Sequence, residues 1–280
     1  MTTLDLTSHG GQMTLARRSS LILPVNQPRF VERAYTRGAD AIVLDLEDSV
    51  PVAEKANARK LVKDAFAFAA RGGAEVAVRV NNEPGLLDED VDAAVHPGLD
   101  NLNIPKAESA DQIRELAARV DRLERARGLA PGHVQFSLAV ETPVGLLATR
   151  ELATASPRIR NMSVGVEDYC LSLGVEPSAD GTELLYAVSF LVTICKAVGV
   201  EPTGLVGSIA GFRDLATSAP PRAAIANASF NSVRAFPFSA AGTESSRSST
   251  IASALRVYAR STNRGWFTGK ISDERRAKVI

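Results

Sequence analysis

The chain is poor in the residues on which several classes of protein depend. It contains only two cysteines, Cys170 and Cys195, whose separation fits neither a disulfide framework nor a metal-binding cluster. Its three histidines, His9, His96 and His133, stand apart in the sequence, so neither a zinc site nor a histidine-based catalytic triad has support. We expect both cysteines to be buried free thiols, which are typical of a reducing compartment.

An excess of charge of one sign and a long apolar run are also absent. The 32 basic and 32 acidic side chains give a formal net charge of zero, so nothing indicates a nucleic-acid or anionic-membrane partner. No apolar stretch reaches the length of a membrane span, and the run SSLILPV is too short for the core of a signal peptide. We therefore expect a cytoplasmic protein that acts on a small molecule.

What the sequence does contain is an alternation of short apolar runs, typical of buried strands, with longer helical segments. The apolar runs predict eight strands, at residues 20–24, 41–46, 75–80, 101–105, 134–140, 161–166, 204–208 and 229–236. Helices are predicted between them, for example at residues 29–37, 52–70, 110–127, 143–155 and 182–198.

This alternation predicts an α/β protein with the (β/α)8 TIM-barrel fold, because eight parallel strands close a barrel and 280 residues suit one. We expect a flexible N-terminus at residues 1–14, the barrel at 15–240, and a C-terminal helix with a lid-like extension at 241–280. A doubly wound open sheet is the alternative, but the sequence has no GxGxxG fingerprint to support it.

Ionisable and amide side chains follow most of the predicted strands. The clearest example is AIVLDLEDSV at residues 41–50, where an apolar run ends in Asp45, Glu47 and Asp48. The later strand ends carry Arg79, Asn81 and Asn82, then Lys106, then Glu141 and Thr142, then Glu167 and Asp168. Because the loops after barrel strands form the catalytic face, the pattern predicts a charged small-molecule site. Any one of the first three acids could instead cap the following helix.

Two of these acids are candidate metal ligands. Glu141 and Asp168 follow consecutive predicted strands, so their carboxylates could converge on one cation. Oxygen ligands favour Mg²⁺, which usually takes one or two protein carboxylates. The alternative is that either acid forms a structural salt bridge with Arg79 or Lys106. The sequence has no P-loop, which disfavours phosphoryl transfer.

At this point a family resemblance becomes clear. The chain resembles the HpcH/HpaI aldolase and citrate lyase family, within it the branch of citrate lyase β-subunits and malyl-CoA lyases. The resemblance rests on RRSSLILPVNQPRFVERAYTRGADAIVLDLEDSV, VRVNN, IPKAES, ETPVGLLATRELATASPRIRNMSVGVEDY and, more weakly, GKISD.

The resemblance implies a site as well as a fold. It implies a (β/α)8 barrel, homotrimers or larger homo-oligomers, Mg²⁺ held by Glu141 and Asp168, and substrate binding by Arg79. Asp273 in GKISD is the matching proton donor, which a neighbouring subunit would contribute, although it could equally be an ordinary acid at a helix N-terminus. We add Glu47 as a catalytic residue and four cofactor-binding residues, namely Arg33 at the CoA moiety, Asp45, Lys106 and Glu167.

The function implied is a Mg²⁺-dependent carbon–carbon lyase acting on a 3-hydroxy-carboxyacyl-CoA thioester such as citryl-, malyl- or citramalyl-CoA. It would release a 2-oxo acid and an acyl-CoA. The chain departs from the family at Gln27, where a basic residue is common, and at Phe236, where a histidine is common. Two alternatives therefore stay open: a metal-dependent 2-oxo-acid aldolase that uses free acids, and a non-catalytic paralogue.

Overall fold

A mainly parallel sheet organises the part of the molecule that the structure describes. The computed structural model describes residue 17, residues 19–178 and 181–204, and the backbone of residues 278–279. In this part of the chain, seven parallel strands lie side by side in sequence order, so that each pairs with the next. They are β1 (Ser20–Pro24), β2 (Ala41–Asp45), β3 (Glu75–Arg79), β4 (Asn101–Ile104), β5 (Gln135–Val140), β6 (Ile159–Val164) and β7 (Glu201–Thr203).

An eighth strand of two residues lies at the other edge. β8 (Lys278–Val279) pairs antiparallel with β1. The unbroken order from β1 to β7 excludes the doubly wound alternative for the described residues, because that fold reverses its strand order at a switch point. The α/β class and the parallel sheet are thus confirmed. The predicted strand at 229–236, which would close a barrel, lies outside the described residues.

Helices connect the strands. They are α1 (Pro28–Val31), α2 (Lys55–Ala69), α3 (Leu86–Ala94), α4 (Ala110–Arg127), α5 (Pro143–Leu147), α6 (Thr149–Ala153), α7 (Val166–Leu173) and α8 (Leu185–Val198). Turns of 3₁₀ helix lie at Ala34–Arg37, Val52–Glu54, Ala70–Gly72 and Thr182–Leu184. The part of the chain described contains no helix that is both long and apolar enough to span a membrane.

Local signals explain where the helices begin and end. The hydroxyl of Ser109 accepts a bond from the backbone N–H of Gln112 and so caps α4, which ends at Gly128 in the left-handed conformation with φ 71°. Thr142 caps α5 in the same way, and Pro143 occupies the first turn, where its missing N–H costs nothing.

The hydrophobic core lies mainly between the sheet and its helices. Its largest fully buried side chains include Leu44 on β2, Leu102 on β4 and Phe136 on β5. Alternate residues of a strand point to opposite faces, and a smaller cluster of Ile22, Val43 and Ala77 lines the other face. Cys170 and Cys195 are both buried and free, which confirms the prediction for the thiols.

The end of one predicted strand and the extents of two predicted helices are wrong. β6 ends at Val164 and α7 begins at Val166, so the acids at 167 and 168 lie in the first turn of a helix instead of at a strand end. β7 lies at Glu201–Thr203, the residues that pair with β6. Residues 205–208 of the strand predicted at 204–208 lie outside the described residues. The helices predicted at 29–37 and 143–155 are each divided into two shorter helices.

Candidate active site at the carboxyl ends of the strands

A buried ion pair joins the ends of β2 and β3. The register places Asp45 directly beside Arg79, whose Nε and Nη2 each lie 2.7 Å from one carboxylate oxygen. Burial alone would raise the pKa of Asp45, but the hydrogen bonds and charge of Arg79 outweigh burial and lower it. The same pairing raises the pKa of Arg79 despite its burial. Arg79 is therefore a fixed and permanent positive charge.

Asp45 has no capacity left for an external ligand. Its oxygens also accept the backbone N–H groups of Glu47 at 3.0 Å and Ser49 at 3.1 Å, together with the hydroxyl of Ser49. The side chain is completely buried. It also caps no helix, because the 3₁₀ turn before α2 begins after Pro51 without a side-chain cap. This geometry makes Asp45 a residue that positions Arg79 and the following loop, instead of one that contacts a cofactor.

Glu47 lies between two cationic side chains. Its Oε2 is 2.9 Å from Nη1 of Arg79, and its Oε1 accepts a bond from Nζ of Lys106 at 2.6 Å. Burial raises the pKa of Glu47 in spite of both cations. The contact with Arg79 lacks the geometry of a hydrogen bond, so the buried Oε2 has no hydrogen-bond donor among the described residues. Nζ of Lys106 also lies 3.6 Å from Oδ2 of Asp168.

Glu141, at the end of β5, is the carboxylate most strongly affected by its surroundings. It is 7% exposed, and one oxygen accepts a bond from the backbone N–H of Lys106 at 3.2 Å. Burial raises its pKa to about 7, and the nearby charges of Asp168 and Glu47 add to this effect. Glu141 and Asp168 thus lie in one electrostatic cluster.

A glycine makes room for Glu141. A Cβ atom on Gly165 would lie 2.4 Å from Cγ and 2.5 Å from Oε1 of Glu141. Those distances are shorter than any real contact, so any larger residue would displace the carboxylate. Gly165 therefore lets the start of α7, which carries Asp168, approach the end of β5.

Lys106 adopts a strained backbone conformation. Its φ of 49° makes it the single described residue other than glycine with a positive φ. The amide of Asn82 donates to the carbonyl of Lys106 at 3.1 Å and accepts a bond from Gln112 at 2.9 Å. These contacts hold Lys106 so that its N–H faces Glu141 while its ammonium reaches Glu47. Strain of this kind is concentrated at functional sites.

The donor set fits one hard divalent cation. Five carboxylates, from Asp45, Glu47, Asp48, Glu141 and Asp168, surround only two cationic side chains in this cluster. Among the residues described, no three histidine, cysteine or acidic side chains form a ready-made metal cage. Mg²⁺ does not need one, since it takes one or two carboxylates and completes its shell with water and substrate. The raised pKa of Glu141 and the unbonded oxygen of Glu47 both indicate a shortage of positive charge.

Other predicted residues lie elsewhere. Arg33 is exposed between α1 and the next 3₁₀ turn, and Glu167 is exposed in the first turn of α7. Asp273 and Phe236 lie outside the described residues. Sequence reasoning missed Lys55, which is buried at the start of α2. A charged residue in the core-facing register of an amphipathic helix was the available signal.

Comparison with known proteins now identifies the family. The family model described as HpcH/HpaI aldolase/citrate lyase matches residues 18–215. The chain belongs to this family. The predicted family is therefore confirmed, and the relatives described next confirm the branch.

Similar proteins of the family are named lyases. The citrate lyase subunit beta of Escherichia coli (strain K12) is 35% identical over 191 residues, which are 67% of this chain and 63% of that protein. The L-malyl-CoA/beta-methylmalyl-CoA lyase of Cereibacter sphaeroides is 33% identical over 168 residues, which are 59% of this chain and 52% of that protein. The chain thus spans less than two thirds of the length of either curated relative.

A solved structure of the family has a similar fold. The citrate lyase beta subunit from M. tuberculosis, complexed with oxaloacetate and magnesium, is 26% identical with a TM-score of 0.52. The similarity covers 66% of this chain and 76% of that one.

Proposed function

We propose that this HpcH/HpaI family member is a Mg²⁺-dependent carbon–carbon lyase. Its substrate would be a 3-hydroxy-carboxyacyl-CoA thioester such as citryl-, malyl- or citramalyl-CoA, and its products a 2-oxo acid and an acyl-CoA. The names of the E. coli and C. sphaeroides relatives support the reaction class, and the magnesium in the M. tuberculosis complex supports the metal. We further propose that the parallel sheet belongs to a closed (β/α)8 barrel in a homotrimer or larger homo-oligomer.

Glu141 carries the proposal. It is a buried carboxylate whose pKa is raised to about 7 by burial and by the neighbouring charges of Asp168 and Glu47. A cation bound by Glu141 and Asp168 would lower the pKa of Glu141 again and would remove the repulsion between the two acids. We assign the two residues as the metal ligands. The geometry around Gly165 supports this pairing, because it brings α7 against the end of β5.

The chemistry follows from charge. When bound, Mg²⁺ supplies Lewis-acid stabilisation of negative charge on a substrate oxygen. Glu47 is suited to take the proton of the substrate hydroxyl, because its pKa is raised and its buried Oε2 has no hydrogen-bond donor among the described residues. Loss of that proton lets the adjacent C–C bond break, which leaves a 2-oxo acid and a thioester enolate.

Arg79 would stabilise the oxygen charge that develops during this step. A guanidinium has five N–H donors, more than its contacts with Asp45 and Glu47 use. Because Asp45 fixes the orientation of Arg79, the charge is in place before the reaction begins. The enolate then needs a proton, which we propose that Asp273 supplies. Lys106 would hold the carboxylate of Glu47 in place. We also propose that Arg33 and Glu167 bind the cofactor, as predicted from the sequence.

The test is a comparison of substrates and metals. The purified chain is incubated with citryl-, malyl- and citramalyl-CoA, each with Mg²⁺ or with EDTA, and 2-oxo acid release is measured. We expect 2-oxo acid release from at least one thioester in the presence of Mg²⁺, and no release in the presence of EDTA. Release from the free acids but not the thioesters would identify an aldolase of free acids instead. No release, together with no Mg²⁺ binding in a calorimetric titration with pyruvate, would identify a non-catalytic paralogue.

A further inference from the structure

A buried polar network lies behind the loop that carries Glu47. Lys55, the first residue of α2, is only 7% exposed. Its Nζ donates to the carbonyl of Leu46 at 3.0 Å, to the carbonyl of Glu47 at 3.1 Å and to Oδ1 of Asn81 at 2.5 Å. These three acceptors match the three N–H donors of an ammonium group.

The charge of Lys55 is not explained by an ion pair. Within the described ranges, no carboxylate forms a salt bridge with it. A buried ammonium is costly when uncharged oxygens alone replace water. The neighbouring core positions of α2 are apolar, among them Ala58, Val62 and Ala65. The lysine is therefore explained by the three oxygens that its ammonium binds, and neither by a counter-ion nor by the packing of α2.

A chain of hydrogen bonds fixes the third partner of Lys55. The amide of Asn81 donates to the carbonyl of Leu46 at 2.9 Å and to Oδ2 of Asp90 at 2.6 Å. Asp90 also accepts the backbone N–H of Asn81 at 2.8 Å and Nε of Arg59 at 2.6 Å. Asn81 can therefore present only its oxygen to Lys55. The network therefore runs from Arg59 to the backbone carbonyls of residues 46 and 47.

We propose that Lys55 is a positioning residue for Glu47, an inference that rests on the catalytic role proposed above for Glu47. Arg79 and Lys106 contact the two carboxylate oxygens of Glu47. Lys55 instead binds the backbone, through the carbonyl groups of Leu46 and Glu47. Without the ammonium, these buried carbonyls lose a donor and the peptide planes on both sides of Glu47 turn, which moves its carboxylate.

The test is a double-mutant cycle on the purified full chain. It uses Lys55→Met, Glu47→Gln and the double variant, with Lys60→Met, an exposed lysine of the same helix, as the matched control. We expect Lys55→Met to lower kcat for thioester cleavage by about tenfold to hundredfold, the scale of a misplaced reacting group, with KM within about threefold of wild type. In the Glu47→Gln background, Lys55→Met should lower kcat by less than about threefold, because the two residues act through one group.

Independent effects would overturn the inference. If the fold-changes in kcat caused by Lys55→Met and Glu47→Gln multiply in the double variant, Lys55 does not position Glu47. The same conclusion follows if Lys55→Met alters kcat no more than Lys60→Met does. Thermal unfolding of every variant shows whether loss of kcat follows loss of folded protein. A fall in kcat that disappears when the rate is corrected for the folded fraction would also overturn it.

A second readout separates this inference from the proposed function. If wild type cleaves no thioester, the proposed function fails, and amide hydrogen exchange then decides the role of Lys55. Faster exchange at the backbone N–H groups of Glu47 and Ser49 in Lys55→Met, with unchanged protection in β3, would support positioning. Unchanged exchange at both groups would overturn it.

Discussion

Two buried glutamates at opposite ends of the sheet, Glu124 and Glu141, have pKa values that are shifted in opposite directions. Glu124, on α4, is completely buried, and its oxygens accept both terminal nitrogens of Arg158, at 2.8 and 2.5 Å. They also accept the backbone N–H groups of Val134 at 2.8 Å and Gly132 at 2.9 Å. Burial would raise the pKa of Glu124, but the bonds from Arg158 and the two N–H groups lower it. Every charge at this site has a partner within the chain.

Glu141 is almost as buried, and burial raises its pKa to about 7. The charges of Asp168 and Glu47 add to this effect, and the two nearby cations, Arg79 and Lys106, are paired with Asp45 and Glu47. The comparison teaches that burial of a carboxylate does not by itself mark a functional site. What marks it is a charge deficit that the chain leaves for a ligand to correct.

The largest effect on stability should come from breaking the buried ion pair between Glu124 and Arg158. Glu124→Gln leaves Arg158 buried with half of its counter-charge, so we expect a loss of about 3–5 kcal/mol in the free energy of unfolding. Urea denaturation measures it, with the exposed Glu115→Gln on the same helix as the control. The folded variant should bind Mg²⁺ like wild type. A loss no larger than that of the control would contradict the comparison.

Glu141→Gln should have the opposite effects to Glu124→Gln, since it should lower activity without lowering stability. Loss of a metal-binding charge should lower kcat by about 10² to 10³, similar to the loss of one preorganised electrostatic group. Unfolding without metal should require at least as much free energy as in wild type, because the repulsion with Asp168 and Glu47 is removed. Thioester cleavage and chemical denaturation in EDTA are the measurements, with the exposed Glu151→Gln as the control. A variant that keeps its rate would refute the role of Glu141.

Much of this comparison is accessible from the sequence. Buried parallel strands are apolar along their length, so the strands and the polar residues at their ends were predictable, Asp45, Arg79 and Glu141 among them. The partner of Asp45 was not, because it depends on the register of β2 against β3. The left-handed conformation of Lys106 and the space made by Gly165 depend on tertiary contacts that no local pattern encodes.

A smaller and more specific effect should come from Gly165→Ala. The backbone of Gly165, with φ −82° and ψ 98°, suits alanine, so the added methyl group acts by displacing Glu141. We expect the free energy of Mg²⁺ binding to weaken by about 1–3 kcal/mol, the scale of the cost of overpacking a protein core. Calorimetric titration measures this change. An unchanged affinity would mean that the position of Glu141 is not important for the metal.

The smallest effect should be a pH dependence of metal binding. A carboxyl group must lose its proton to bind a cation, so affinity should fall as pH falls through about 7, the pKa of Glu141. The expected loss is about tenfold between pH 8 and pH 6 for one titrating group. Calorimetry in buffers of different ionisation enthalpy also counts the protons released. A pH-independent affinity in this range would contradict the raised pKa.

The same shifts predict opposite effects on stability without metal. The pKa of Glu141 rises on folding from 4.5, so its contribution to stability is present below pH 4.5 and is lost as pH rises through about 7. The pKa of Glu124 is lowered from 4.5, so its contribution is present above that pH and is lost on acidification. Denaturation of the two glutamine variants across this range should separate the two trends.

Anomalous diffraction from a crystal soaked with Mn²⁺ and pyruvate tests the central claim most directly. We predict one strong peak bound by carboxylate oxygens of both Glu141 and Asp168, with the guanidinium of Arg79 facing the bound oxo acid. A peak bound by only one of the two acids, a peak elsewhere, or no peak at saturating metal would contradict the assignment.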